Sequence, residues 1–135
     1  MINALSDPSV FVRIPVPDRH RSVTVAEIFG DRYSAQFEPY VYAMAAALSP
    51  EYRGAFWAFQ TLSVDGFYQA PDEDRTFEVH CDNGYEGRMS ADAFGITCCL
   101  YTYSHLSFAA NGSIAQVYAR LYHVLREYML SHAEA

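Results

Sequence analysis

Cysteine and histidine residues are the first candidates for chemistry in this 135-residue chain. Cys98 and His105 are seven residues apart and would share one face of a helix, while His80 and Cys81 lie on a predicted strand. Zinc needs three or four converging ligands, commonly with C-x2-C spacing. The adjacent Cys98 and Cys99 do not have that spacing, and strand alternation separates His80 from Cys81. We therefore predict reduced, buried thiols and a hydrogen-bonded histidine, with no metal and no cofactor.

Nucleophilic catalysis by the same residues has little support. Along a helix Cys98 and His105 would be about 10 Å apart, which is too far for a direct hydrogen bond. Ser104 and His105 are adjacent, and adjacent helical residues do not face each other. The chain also has no G-x-S-x-G motif. The prediction is that the protein is not an enzyme. A small enzyme or binding domain that uses Cys98 and His105, or a helix start at Ser90, is kept as an alternative.

The stretch NGYEGRMSADAFGI, residues 83–96, has the composition of a ligand loop before a helix. Helix N-termini bind anions, and glycines let the backbone approach them. However, the stretch has neither phosphate-binding glycine motif, and Glu86 and Asp92 would repel a phosphate. Local roles explain it without a ligand: a hairpin turn at Asn83-Gly84, relief of crowding or a bulge at Gly87, and a helix cap at Ser90.

The charge balance narrows the class of protein further. The net charge is −7, from nine arginines, no lysines and sixteen acidic residues, which disfavours direct nucleic-acid binding. Imitation of DNA by carboxylates is an alternative, but the dense acidic run is short, residues 72–74. No uninterrupted apolar stretch is long enough to cross a membrane, and no secretory signal is evident. A cytoplasmic location without membrane contact is expected.

The elements that must position these residues follow from periodicity and from turn residues. Three prolines predict an extended arm or edge strand in residues 1–17. A compact core of helices and strands is expected to fill the rest of a single domain, residues 1–135. The predicted elements are a short helix at 24–29, a helix at 38–48, strands at 55–62, 66–70, 76–81 and 85–89, a buried helix at 90–108 and an amphipathic C-terminal helix from about 113.

The predicted fold class is therefore α+β. An antiparallel meander of three to four strands is expected to pack against the buried helix and the C-terminal helix, with a short helix before the sheet. The weakest assignment is residues 90–108, where β-branched residues, aromatic residues and Gly95 favour a strand while Ser90 and Asp92 favour a helix start.

Three stretches together resemble the ArdB/KlcA antirestriction proteins. They are FWAFQTLSVDGFYQAP, NGYEGRMSADAFGI and LYTYSHLSF, and their order, spacing and closing C-terminal helix agree with that family. The likeness covers roughly residues 10–130. Two departures occur: the family usually has a Leu-Pro element before its Phe-Gly, where this chain has residues 26–30, and it tends to have Asn-Gly-Gly where this chain has Val64-Asp65-Gly66.

The resemblance implies inhibition of host type I restriction-modification enzymes, which protects incoming DNA of plasmids and other mobile elements. It implies protein contacts with the restriction complex or with an accessory host protein, and neither catalysis nor DNA mimicry. It supports the helical interpretation of residues 90–108. We expect partner contacts at exposed residues near the turns of the shared stretches: Asp65, Tyr68, Tyr85, Glu86 and Arg88. The oligomeric state and the affected restriction families are left open.

Overall fold

The α+β fold is confirmed by a computed structural model, which describes residues 12–63 and 65–131. In those residues four α-helices accompany two small antiparallel sheets. The helices are α1 (Arg21–Phe29), α2 (Glu38–Leu48), α3 (Ala91–Ala109) and α4 (Gly112–Leu130). The strands are β1 (Arg13–Pro15), β2 (Trp57–Leu62), β3 (Gly66–Pro71), β4 (Thr76–His80) and β5 (Glu86–Ser90). A π-helical segment, Tyr33–Phe37, leads directly into α2.

The strands form two sheets, which corrects the predicted single meander. One sheet has the order β1-β2-β3, and the other is the β4–β5 hairpin. The free edge of β3 is occupied by α3 instead of β4. Cys99 Sγ on α3 lies 3.5 Å from both the backbone N and the carbonyl O of Gln69, and the Tyr103 hydroxyl donates to the Phe67 carbonyl at 2.7 Å. Side chains of α3 thus bond three backbone groups at this edge of β3, where a further strand would otherwise pair.

The extended arm becomes the edge strand β1 where the structure describes it. Arg13 pairs with Leu62, and Pro15 pairs with Gln60. Proline is tolerated there because an edge strand needs fewer ladder donors. Residues 1–11 of the predicted arm lie outside the described residues.

The turn between β2 and β3 explains one departure from the family sequence. Asp65 has a φ of 64°, in the left-handed region, where glycine and asparagine are most at ease and aspartate is also tolerated. Gly66 does not have a left-handed φ. It is nevertheless a position where a side chain would not fit, because a Cβ there would lie 2.7 Å from Cγ1 of Val124. Residue 64 lies outside the described residues.

Helix α3 is central and buried, as predicted, despite its unfavourable local propensity. It packs against α2, α4 and strands of both sheets. Gly95 is the residue that permits this, since a Cβ at that position would lie 2.2 Å from the Ala70 Cβ and 2.5 Å from the Gln69 carbonyl oxygen. The helix therefore lies in direct contact with the β3 backbone. Tertiary packing outweighs propensity here.

The other helix and strand boundaries agree with the predictions to within three residues. Helix α2 has the predicted bounds, whereas α1 begins three residues earlier, at Arg21, and ends before Gly30 as expected. Ser113 and Gln116 have the spacing of a capping box, which predicts a helix start at Ser113. This prediction is wrong, because α4 begins at Gly112 and its N-cap, Asn111, makes no side-chain capping bond. An aromatic cluster forms the centre of the core, including Phe29, Phe37, Trp57, Phe67, Phe94 and Tyr103.

Candidate partner-binding groove

A half-open groove of about 510 Å³ lies between the β4–β5 hairpin, α3 and α4. Its size is in the range of ordinary ligand pockets. We call it the hairpin groove. Apolar and aromatic side chains dominate the residues that line it, which are Cys81, Asn83, Tyr85, Arg88, Met89, Ala93, Ile96, Thr97, Leu100, Tyr101, Ser104, Tyr122 and Met129.

The hairpin turn sets the position of Tyr85 at the groove. Gly84 has a φ of 94°, and the Asn83 side-chain oxygen accepts a hydrogen bond of 3.0 Å from the Tyr85 backbone N–H. The Tyr85 ring lies over Gly87, since a Cβ on Gly87 would be 2.7 Å from the Tyr85 hydroxyl oxygen. Residues two apart share a strand face, so the missing side chain of Gly87 leaves the space that the ring occupies. Relief of crowding, one of its two predicted roles, is thus its function.

Polar groups lie at the hairpin end of the groove. Cys81 and Tyr101 both line this end. Burial raises the pKa of Cys81, and burial together with the neighbouring Cys81 thiol raises the pKa of Tyr101 to about 12. Both groups are therefore protonated at neutral pH. Asp82 is exposed between Cys81 and Asn83, and its negative charge also raises the pKa of Cys81 and of Tyr101.

The structure brings three of the five predicted contact residues together on this hairpin. Tyr85 is 43% exposed, and Glu86 and Arg88 are also exposed. Arg88 already has a partner within the chain: its Nη1 and Nη2 atoms lie 3.2 Å and 3.0 Å from the two carboxylate oxygens of Glu51. Asp65 is exposed on the other sheet, at the β2–β3 turn.

The prediction that Tyr68 is an exposed contact residue is wrong. Its side chain has 0% exposure, its ring stacks on Tyr128 at 5.8 Å, and its hydroxyl donates to Asp92 Oδ1 at 2.7 Å. Arg13 Nη1 lies 3.2 Å from the same carboxylate oxygen. Burial raises the pKa of Tyr68. Tyr68 on β3 therefore contacts the arm, α3 and α4 at once. Its position near a turn in the sequence did not indicate this structural role.

The residues of the alternative hypothesis, a small enzyme or binding domain, do not lie together in one site. Cys98 is fully buried, and burial raises its pKa well above the ordinary value, whereas His105 is exposed and packs on Tyr40. The α3 N-terminus is occupied by the chain itself. Ser90 Oγ accepts from the Ala93 N–H at 3.1 Å, as predicted for an N-cap.

Acidic residues of the described chain are partly neutralised by neighbouring cations. Glu51 pairs with Arg75 and Arg88, and Asp92 pairs with Arg13. Such pairs interrupt a carboxylate row of the kind that DNA mimicry requires. Within residues 12–63 and 65–131, no group of three or more histidine, cysteine, aspartate or glutamate residues is arranged to hold a metal ion. Over the same ranges, none of the helices has the length and hydropathy of a membrane span.

His80 gives a pH-dependent prediction for the outer face of the hairpin. Its Nε2 lies 2.7 Å from Glu78 and its Nδ1 lies 3.3 Å from Glu86, and these carboxylates raise the His80 pKa above 6.5. Because the folded-state pKa is raised, the contribution to stability is full below the unfolded pKa and is lost as pH rises through the folded pKa. In an NMR titration, Glu78→Gln should lower the His80 midpoint, whereas Glu73→Gln in the β3–β4 loop should leave it unchanged. Equal midpoints in all three proteins would contradict the assignment.

The sequence of this chain is similar to those of known proteins. The sequence pattern of the family described as "Antirestriction protein" matches residues 50–135, which include every residue that lines the hairpin groove. The chain belongs to the antirestriction protein family. An antirestriction protein KlcA of Escherichia coli is 39% identical over 109 residues, covering 79% of this chain and 77% of the relative. A second E. coli KlcA is 34% identical and covers 97% and 91% of the two chains.

The fold is also that of this antirestriction family. A solved structure matches with a TM-score of 0.85 and 32% identity, and the match covers 98% of this chain and 94% of that one. It comes from a study of the KlcA and ArdB proteins that describes a novel fold and antirestriction activity against type I DNA restriction systems in vivo but not in vitro. The predicted resemblance to ArdB/KlcA proteins is confirmed.

Sequence reasoning missed most of the groove of this antirestriction protein. Met89, Tyr101, Tyr122 and Met129 come from three different elements, and only tertiary packing brings them together. The second and third stretches that resemble the ArdB/KlcA family both contribute residues to the groove. These two stretches are only a few residues apart in the sequence, which could have indicated that they form one surface.

Proposed function

We propose that this protein inhibits type I restriction-modification enzymes in a bacterial cytoplasm and thereby protects incoming mobile-element DNA. The observation that carries the proposal is the match over nearly the whole chain to KlcA and ArdB, proteins with that activity in vivo. The chain would act as one antirestriction-type domain, residues 1–135. It would work through protein contacts and without catalysis.

The absence of activity in vitro for the matched proteins supports the involvement of a further cellular component. The partner would be either the assembled restriction complex in its cellular state or an accessory host protein. Tyr85, Glu86 and Arg88 on the β4–β5 hairpin are the proposed contact residues, with Asp65 as a separate contact on the other sheet. Tyr85 is favoured because it is exposed and lines the hairpin groove.

Phage plating tests the function directly. Unmodified phage should form plaques on a type I restricting host with higher efficiency when this protein is expressed, approaching the efficiency on a host that lacks the restriction enzyme. Phage already modified by the same host is the control and should plate equally with and without the protein. Undiminished restriction despite expression of folded protein would contradict the proposal.

A pull-down from restricting cells separates the two proposed partners. If the complex itself is bound, its subunits should be recovered with the protein from cells and also from purified enzyme. If an accessory protein is required, recovery from purified enzyme should fail until cell extract is added. Retention of neither the restriction subunits nor any protein required for inhibition would contradict a mechanism by protein contact.

A further inference from the structure

Helix α3 has a line of partly or fully exposed residues that carries no charge. These residues recur at helical spacing and so share one face of the helix; they are Ala93, Thr97, Leu100, Tyr101, Ser104 and Phe108. From position 93 to position 109 the sequence has no aspartate, glutamate, lysine or arginine. The solvent-facing side of a helix normally carries charges, as α4 does with Arg120, Arg126 and Glu127. The exposed line of α3 therefore has the composition of a contact surface.

This line runs along one continuous groove. Ser104 and Tyr122 line the hairpin groove and also a second half-open depression of about 450 Å³, which extends along α3 to Phe108. We call the two together the extended groove. Between Ala93 and Phe108 the helix rises roughly 22 Å, or about four turns. Phe108, at the far end, is 89% exposed. The length suits a partner helix of about four turns that lays its apolar face on α3.

Arginines lie on both walls of the extended groove. Arg88 lines it from the hairpin, and the described residues that line either part include no aspartate or glutamate. Glu51 lies 3.0 Å from Arg88 and 3.5 Å from Arg75, so two guanidinium groups share one carboxylate. On the opposite wall, Arg126 of α4 is exposed.

The charge of Arg126 is not compensated along its own helix. Arg126 is four residues from Tyr122 and three from Met129, and both of these line the groove. The positions three and four residues away on either side hold no acid. The adjacent Glu127 lies about 100° further around the helix. Arg126 is thus placed to meet a negative charge at the edge of the groove.

The acidic residues of the hairpin lie outside the lining of the groove. Glu78 and Glu86 lie 2.7 Å and 3.3 Å from the two nitrogens of His80. Asp82 is exposed at the hairpin turn, at the opposite end of β5 from Met89. A negatively charged partner group is therefore attracted to the half of the groove between Arg88 and Arg126.

We propose that the extended groove is the docking site for an amphipathic helix of the protein partner, which has acidic residues along the borders of its apolar face. This assignment rests on the proposed function and specifies the element that the partner presents. The apolar face covers the uncharged line of α3, including Leu100 and Phe108. Carboxylates at its two borders pair with Arg88 on the hairpin and with Arg126 on α4.

Two model peptides test the shape and the charge preference of the site. Each is an amphipathic helix of about four turns with leucines on one face, bordered by glutamates in one peptide and by lysines in the other. In fluorescence anisotropy at about 0.15 M salt, the protein should bind the glutamate peptide roughly threefold more tightly, or better. The net charge of −7 favours the lysine peptide, so non-specific attraction cannot produce this result. Equal affinities, or tighter binding of the lysine peptide, would overturn the inference.

Two exposed arginines of α4 provide matched variants. Arg126→Glu should abolish the preference for the glutamate peptide, and Arg126→Lys should retain it because the charge is kept. Arg120→Glu makes the same change about 120° away around the helix and should leave the preference unaltered. Equal effects of Arg126→Glu and Arg120→Glu would contradict the site.

A photo-cross-linker locates the bound peptide. Phe108→benzoylphenylalanine should cross-link to the glutamate peptide, whereas Gln116→benzoylphenylalanine, on the exposed side of α4, should not. Cross-links between two copies of the protein at position 108 would show that a second copy covers the groove, and would overturn the inference.

Phage plating then connects the groove to the function. Arg126→Glu should lose protection while its thermal midpoint stays unchanged, and Arg120→Glu should protect as well as the unaltered protein. If Arg126→Glu protects fully, the groove inference fails and the proposed function stands. If the unaltered protein gives no protection, the proposed function itself fails, and the peptide affinities then decide only whether the groove accepts an acidic helix.

Discussion

Gly95→Ala should destabilise the protein by about 3 kcal/mol or more, because the added Cβ would overlap the β3 backbone. The methyl group would lie 2.4 Å from the Ala70 Cα and 2.5 Å from the Gln69 carbonyl oxygen, and neither atom can rotate away. The fall in Tm should be at least roughly 10 °C, measured by circular dichroism or calorimetry. On an isolated helix the same change would be favourable, since alanine is the better helix former.

Gly87→Ala is the matched control for Gly95→Ala. Its Cβ would also meet a close neighbour, but that neighbour is the hydroxyl end of the Tyr85 side chain, which can move. Its stability should therefore change little. The double variant Gly95→Ala with Ala70→Gly should recover part of the loss, because it removes one of the overlapping atoms. If Gly95→Ala and Gly87→Ala have equal Tm values, the close approach of α3 to β3 is wrong.

Tyr68→Ala should cost about 3–5 kcal/mol of folding free energy, the usual range for removal of a fully buried aromatic side chain. Tyr68→Phe keeps the ring and removes only the hydroxyl that donates to Asp92, so its cost should be roughly 1–3 kcal/mol. Denaturant unfolding of both variants would measure these differences. Their order follows from the 0% exposure of Tyr68 and from its stacking on Tyr128.

Tyr85→Ala is the surface control for Tyr68→Ala, because it removes an exposed tyrosine instead of a buried one. Tyr85 is 43% exposed, so its replacement should change the stability only within about 1 kcal/mol. If Tyr68 were a contact residue and not part of the core, Tyr68→Ala would behave like Tyr85→Ala in denaturant. That result would contradict the structural role assigned to Tyr68.

Individual turn, capping and helix-breaking residues were sufficient to predict where most helices and strands begin and end. Helix α2 begins and ends where Pro39 and the Ser49-Pro50 pair predict, and Gly30 ends α1 with a φ of 63°. The hairpin turn at Asn83-Gly84 and the cap at Ser90 also form as predicted. These features depend on the backbone preferences of one or two residues, and those preferences follow from the residue types alone.

Contacts between distant residues required the tertiary structure. The division into two sheets depends on Cys99 and Tyr103, which satisfy the β3 edge from 30 and 36 residues away. The capping box predicted for α4 failed because its helix begins at Gly112, before the predicted cap. Spacing alone could not distinguish these outcomes, since each depends on which surfaces meet after folding.

By itself the sequence determined the α+β class, the family, the Asn83-Gly84 turn and the Ser90 cap. Only the tertiary structure decided that Tyr68 is buried and that Tyr85, Tyr101, Tyr122 and Met129 line one groove. The physical reason is that periodicity assigns a face to each side chain but not the element that covers it. In this fold α3 and α4 cover Tyr68, and the same two helices leave the hairpin groove open beside Tyr85.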